Sequence, residues 1–141
     1  LPVLGGYEIV SIPRFDLKQT LELIDKKKPH FMAGVPAIFN AMNNCKDIDK
    51  YDLKSLQFCI SGGAALPVEV KKSFEAKTGC VVCEGYGLTE SSPVSNVNPP
   101  FGENVAGSIG LPLPETIIAK IRKRICRLAS AVRSVFVGRK S

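Results

Sequence analysis

Seven consecutive residues, Glu84-Gly85-Tyr86-Gly87-Leu88-Thr89-Glu90, bring an aromatic ring, a hydroxyl and two carboxylates together with two glycines that leave the backbone bare. Tyr86 could stack on a planar base, Thr89 could hydrogen-bond a phosphate oxygen, and Glu90 could hold Mg²⁺ through a carboxylate oxygen. The same residues also suit a polar turn with Thr89 as helix cap, Glu90 in a first turn and Tyr86 half buried. Composition alone favours neither. Upstream, Ser61-Gly62-Gly63-Ala64-Ala65 is a run of small residues where backbone can approach a flat ligand closely. On its own that run reads first as a tight strand-to-helix turn. It is followed by no G-K-[ST] and does not fit G-x-G-x-x-G.

Both stretches must be carried by strands. QFCIS is a β-rich run that breaks at Gly62 and Gly63, and VVCEGY is another that leads into Gly87 and Thr89. Between them Pro67 suits the first position of a helix, Val68, Val70 and Phe74 give it apolar residues, and Gly79 stops it. Earlier in the chain, residues 7–12 (YEIVSI) form a short β-rich run. Asp16 is the N-cap of a helix in which Leu17, Leu21 and Ile24 recur at helical spacing. HFMAGV follows as a buried strand, Pro36 opens a helix with Ile38, Phe39 and Met42 on its apolar face, and Asn43 to Lys54 reads as a loop. Beyond Tyr86 the prolines and glycines break the chain into loops and short strands, and there is no internal repeat. Strands alternating with helices at this spacing predict an α/β fold: a mostly parallel sheet with flanking helices. Ligands of such sheets lie beyond the carboxyl ends of the strands, often where strand order reverses. Those ends are where the two glycine-bearing loops fall.

The bulk properties exclude several alternatives. A net charge of +6 invites a nucleic-acid reading, but all 13 acidic residues lie at or before Glu115. Arg122, Lys123, Arg124, Arg127, Arg133, Arg139 and Lys140 follow without an acid, which leaves residues 1–121 with 12 basic against 13 acidic groups. The body is nearly neutral, so no nucleic-acid partner is expected. Charges and prolines interrupt every apolar run well short of a membrane span. The chain begins at Leu1 with no secretory pattern, and a piece of a longer, soluble or peripheral protein is expected. Five cysteines, an odd number, point to free thiols in a reducing cytoplasm. Cys80 and Cys83 form a C-x-x-C, but on a strand residues three apart point to opposite faces, and His30 is the sole histidine. Packing is their expected role.

EGYGLTESSPV, preceded by SGGAALP at a separation of about one helix and one strand, closely resembles the paired nucleotide-binding motifs of the adenylate-forming (AMP-binding) superfamily. The stretches FDLKQTLELIDKKKPHFMAGVPAIFNAM, DLKSLQFCISGGA and GSIGLPLPET are similar to those of bacterial long-chain fatty acyl-CoA ligases, over roughly residues 4–121. The resemblance implies a partial N-terminal domain in residues 1–121. It implies that Gly63 and Ala64 lie along an adenine, Glu84 and Gly85 complete the pocket wall, Tyr86 stacks on the base and Gly87 lets backbone approach. It further implies Thr89 on the α-phosphate, Glu90 on Mg²⁺, and Gly34, Val35 and Pro36 near the acyl pocket, although an ordinary strand-to-helix junction explains those three nearly as well. ATP, Mg²⁺, coenzyme A and a fatty acid are the implied reactants. The resemblance also allows peripheral contact of the full-length enzyme with the inner face of the membrane.

Two departures from the family follow from the same resemblance. The family's phosphate loop with its lysine, its ribose-binding Asp, and its hinge and C-terminal lysine are absent from these residues, so the chain alone is expected to be inactive. Residues 122–141 form a basic tail unlike the family's continuation. A shifted reading frame, a divergent solvated tail and an amphipathic lipid anchor are its three readings, and disorder or loose helix is expected there. Finally, the residues leave two other functions open: a noncatalytic nucleotide-binding module, and an adenylate-forming enzyme for a different carboxylate.

Overall fold

A computed structural model describes residues 5–91, 94–120 and 135–139. Asp16 starts the first helix, α1 (Leu17–Lys27), by accepting the Gln19 amide on its side chain at 2.8 Å. Lys28 closes it in the left-handed region, at φ 48°, donating its N–H to the Ile24 carbonyl. α2 (Pro36–Asn43) begins at the proline, where a missing N–H costs nothing, and α3 (Val68–Thr78) ends on Gly79 at φ 75°. Pro67 is the N-cap of α3 rather than its first residue, because its ψ of 132° is extended. The predicted loop at 43–54 contains a 3₁₀ turn, Ile48–Lys50, and contributes Ile48 and Leu53 to the core.

The strands are β1 (Phe31–Gly34), β2 (Phe58–Ser61), β3 (Val81–Gly87), β4 (Val94–Val97) and β5 (Leu111–Pro112), in that spatial order. β1, β2 and β3 run parallel, joined by α2 and α3, as the alternating pattern predicts, while β4 and β5 continue the sheet antiparallel. The order is sequential, so no reversal of strand order lies between the two glycine-bearing loops. β6 (Thr116–Lys120) and β7 (Val135–Arg139) pair antiparallel as a separate ribbon.

Three sequence expectations are corrected. Residues 7–12 form no strand, and Tyr7 and Ile9 are 74% and 61% exposed. β-propensity makes a strand only beside a ladder partner, and no described strand lies there. The HFMAGV strand is not buried but forms the edge of the sheet, with Phe31 43% exposed. The expectation of a disordered or helical tail fails at β7, where the VFVGR sequence finds β6 as its partner. The remainder of that tail lies outside the described residues.

Helices α1 to α3 supply Leu21, Ile24, Phe39, Met42 and Phe74 to one core, against Cys59 and Val82 of the sheet. The Phe39 and Phe74 rings meet edge to face at 5.1 Å and 78°, fastening α2 to α3. Cys59, Cys80 and Cys83 are buried, while Cys45 is half exposed. Cys80 touches Cys59, sulfur to sulfur at 3.9 Å, and the Thr78 hydroxyl, whereas Cys83 lies under the Asn104 amide. Contact with Cys80, reinforced by burial, pushes the Cys59 thiol up; burial pushes Cys83 up. Because Cys59, Cys80 and Cys83 are buried, an aromatic disulfide reagent at pH 8 is expected to modify Cys45 in the folded chain and those three thiols only after urea unfolding. Peptide mapping checks this, and equal rates at Cys45 and Cys59 would count against it. Among the described residues, no helix is long and apolar enough to cross a membrane.

Candidate active site

The sheet register brings three strand ends level. Gly34 pairs with Ser61, and Ser61 with Glu84, so the turns after β1 and β2 open at one edge of the sheet. β3 overruns that line by Gly85, Tyr86 and Gly87, which β4 holds from the other side through Val97, Asn96 and Val94. A register shift between Tyr86 and Gly87 breaks the ladder where the chain turns towards Thr89. Alternation of strands and helices was enough to place both loops at the carboxyl ends; the register adds that they face one another.

The small-residue loop is fastened at both ends and bare in the middle. Gly62 donates its N–H to the Gly34 carbonyl at 3.1 Å, and the Leu66 N–H donates to Glu84 Oε1 at 3.0 Å. Between them Gly63, Ala64 and Ala65 are exposed, and Gly63 sits at φ 79°, a conformation that favours glycine. A side chain on Gly63 would reach Val35, and one on Gly62 would approach the Gly85 carbonyl, so Gly34–Pro36, Gly62–Ala65 and Gly85 share one neighbourhood. Pro36 itself is the first residue of α2.

Glu84 is 6% exposed, and its Oε2 has no partner among the described residues. Its carbonyl accepts both the Asn98 N–H, at 2.9 Å, and the Asn98 side-chain amide, at 3.4 Å. The carboxylate is thus buried beneath the end of the small-residue loop, bonded to Leu66, rather than open to solvent. Asn98, 1% exposed, also donates to the Ser108 carbonyl and accepts from the Val105 N–H, tying the 98–110 loop to β3. Gly110 completes this packing, because a Cβ there would overlap the backbone of Val97 and Asn98. Ser95 donates its hydroxyl to the Tyr86 carbonyl at 3.1 Å. Sequence reasoning missed Ser95, Asn96, Asn98 and Gly110; the available signal was one asparagine inside a strand, where it is disfavoured, and a second just past its end.

Tyr86 is half buried, Gly87, Thr89 and Glu90 are exposed, and Thr89–Ser91 forms a single 3₁₀ turn. Glu90 belongs to no ion pair among the described residues. An exposed carboxylate beside an exposed hydroxyl is a hard-oxygen donor set that suits Mg²⁺, which takes one or two carboxylates and keeps several waters. The exposed glycines at 63 and 87 suit the close approach of a nucleotide. The backbone of β7 lies beside the Thr89–Ser91 turn, so this part of the tail reaches the border of the site.

The family model for AMP-binding enzymes matches residues 1–127 of the 141. The chain belongs to the AMP-binding enzyme family. This AMP-binding chain is 45% identical over 125 residues to the long-chain-fatty-acid–CoA ligase of Bacillus subtilis (strain 168), covering 89% of itself and 22% of that protein. It is 35% identical over 113 residues to the corresponding ligase of Salmonella typhimurium, covering 80% of itself and 20% of that protein. The AMP-binding chain thus spans about a fifth of the length of these curated relatives. Among solved structures, an anthranilate CoA ligase in complex with anthranoyl-AMP overlaps 94% of the chain and 26% of its own, at TM-score 0.82 and 25% identity. A long-chain-fatty-acid-CoA ligase from Archaeoglobus fulgidus shares the fold over 98% of the chain and 30% of its own, at TM-score 0.79 and 20% identity. The mostly parallel sheet with flanking helices is that of these N-terminal domains.

Proposed function

We propose that this chain serves the ATP-dependent activation of a long-chain fatty acid and its transfer to coenzyme A, and that it supplies the adenylate-facing part of that site. What carries the reading is the level alignment of Gly34, Ser61 and Glu84, which sets the exposed Gly63–Ala65 backbone opposite Gly85–Gly87, with Thr89 and Glu90 at the rim. The 45% identity to a long-chain-fatty-acid–CoA ligase supports the choice of substrate.

In the first half-reaction an oxygen of the fatty carboxylate attacks the α-phosphorus of ATP and pyrophosphate leaves. In the second the coenzyme A thiol attacks the acyl carbonyl, a thioester forms and AMP leaves. The carboxylate is already ionised near neutral pH, so the first step needs alignment and charge neutralisation rather than a protein nucleophile. Gly63 and Ala64 bare the backbone along the adenine, Tyr86 stacks on its face and Gly87 admits the nucleotide. Thr89 hydrogen-bonds the α-phosphate throughout. Glu90 is the residue that would hold Mg²⁺, which when bound neutralises charge on the phosphates. Gly34, Val35 and Pro36 border the acyl side.

Residues 5–121 set in place of the matching stretch of the Bacillus subtilis relative are expected to retain adenylation with long-chain fatty acids and not with anthranilate. Fatty-acid-dependent pyrophosphate exchange measures this. A graft that folds but prefers the aromatic acid would overturn the substrate assignment. The 141 residues alone are expected to stay at background in the same assay, because they contain no lysine-bearing phosphate loop. Exchange by the chain alone would show that the site is complete without it.

A further inference from the structure

We propose that Glu84 is a positioning residue whose buried carboxylate clamps the Gly62–Leu66 loop to β3, and so sets how closely that loop approaches Gly85–Gly87. The clamp rests on geometry; its consequence for nucleotide binding rests on the function proposed above. A side chain 6% exposed, with one oxygen bonded to Leu66 and the other buried, is not placed to touch a ligand. It is placed to hold a loop. The loop's first residue is fixed by the Gly62 to Gly34 bond, and its last by the Leu66 to Glu84 bond, leaving three exposed residues between two fasteners. Leu66 is itself 4% exposed and immediately precedes the Pro67 cap of α3, so the clamp also sets where that helix starts.

A carboxylate suits this position for a second reason. Ser61 and Glu84 are paired neighbours on parallel strands, so their side chains share a face. Ser61 Oγ and Glu84 Oε2 are both buried and without partners among the described residues. One is a hydroxyl that needs an acceptor and the other an oxygen that can only accept, so a direct bond or one shared water satisfies both. Through its carbonyl the same residue also holds Asn98. Glu84 thereby ties the two loops that flank the site to the strand between them.

Site-resolved amide hydrogen exchange on the full 141-residue chain tests the clamp without any substitution. The Leu66 amide is expected to exchange about 10- to 100-fold more slowly than those of Ala64 and Ala65, as a hydrogen bond to a charged group would impose. Leu66 exchanging as fast as Ala64 overturns the proposal. Glu84→Leu, which removes the acceptor, is expected to erase that protection while Phe74 and Val82 stay protected, and Glu84→Gln, which keeps one acceptor oxygen, to retain most of it. Protection of Leu66 that survives Glu84→Leu overturns the proposal equally. Titration with a fluorescent N-methylanthraniloyl ATP is expected to show about tenfold weaker binding in Glu84→Leu and near-unaltered binding in Glu84→Gln. Tyr86→Ala is expected to weaken binding without changing Leu66 exchange. Binding of the probe that ignores Tyr86→Ala would sink the nucleotide reading, while the Leu66 amide would still decide the clamp.

Discussion

Glu90→Gln is expected to lower fatty-acid-dependent adenylation by about 10² to 10³, the loss that follows removal of one preorganised electrostatic element. The measurement is pyrophosphate exchange in the full-length graft that carries residues 5–121. Glutamine keeps the size of Glu90 and one acceptor oxygen and removes the charge. Its exposure beside Thr89, with no ion pair among the described residues, makes structural loss a poor explanation of any effect. The thioester-forming step, started from preformed acyl-AMP, is expected to suffer far less, because no pyrophosphate is present whose charge needs neutralising. Thr89→Val is expected to slow both steps, since the α-phosphate is present in each. Adenylation indifferent to Glu90→Gln across a Mg²⁺ titration would reduce Glu90 to a turn residue and leave the functional reading of this loop to Tyr86 and Thr89.

The features legible in the amino-acid sequence are those that local chemistry determines. Asp16 marks a helix start because its side chain bonds an amide three residues on, and Gly79 marks an end because only a left-handed residue closes the turn comfortably. Glycine loops after two β-rich runs put the candidate site at the carboxyl ends of parallel strands, since alternating strands and helices leave few other arrangements. Strand pairing is less legible. Residues 7–12 and 135–139 have similar β-propensity, but only the second meets a described partner, and partnership is decided by chain far away in sequence.

Burial is the other illegible quantity. Glu84 sits beside Tyr86 in a motif whose polar residues all look available to a ligand, yet the sheet pleat turns its carboxylate under the Gly62–Leu66 loop. Period-2 alternation from the exposed Gly87 could have suggested the side but not that Leu66 would be there to receive it. Asn98 is similar: its four bonds to Glu84, Ser108 and Val105 depend on a loop that returns to the strand after several irregular residues. Such residues are found by asking why a carboxylate lies within a strand, or an amide just past the end of one, and the answer requires tertiary structure.

Phe39→Ala is expected to cost about 3 to 5 kcal/mol, the range for deleting a fully buried aromatic side chain. Phe39 is 0% exposed, lies on α2 and packs edge to face on Phe74 of α3, also 0% exposed. The pair geometry adds about 0.5 to 1.5 kcal/mol to the burial of area, so a cycle with Phe74→Ala should show coupling of that size. With a urea slope of about 1 to 3 kcal/mol/M, the midpoint should fall by more than about 1 M, or the chain should be unfolded without denaturant. The loss should also reach the site. The Phe39 ring lies where a Cβ on Gly34 would come within 3.3 Å, so its removal leaves a void beneath the turn that accepts the Gly62 amide. Phe31→Ala is the control: that ring pairs with Phe58 at 5.0 Å but is 43% exposed on the edge strand, and its loss should cost under about 1 kcal/mol. Equal midpoints for the two variants would mean that the contact between helices and sheet is not what holds the strand ends level, and the alignment of Gly34, Ser61 and Glu84 would need another support.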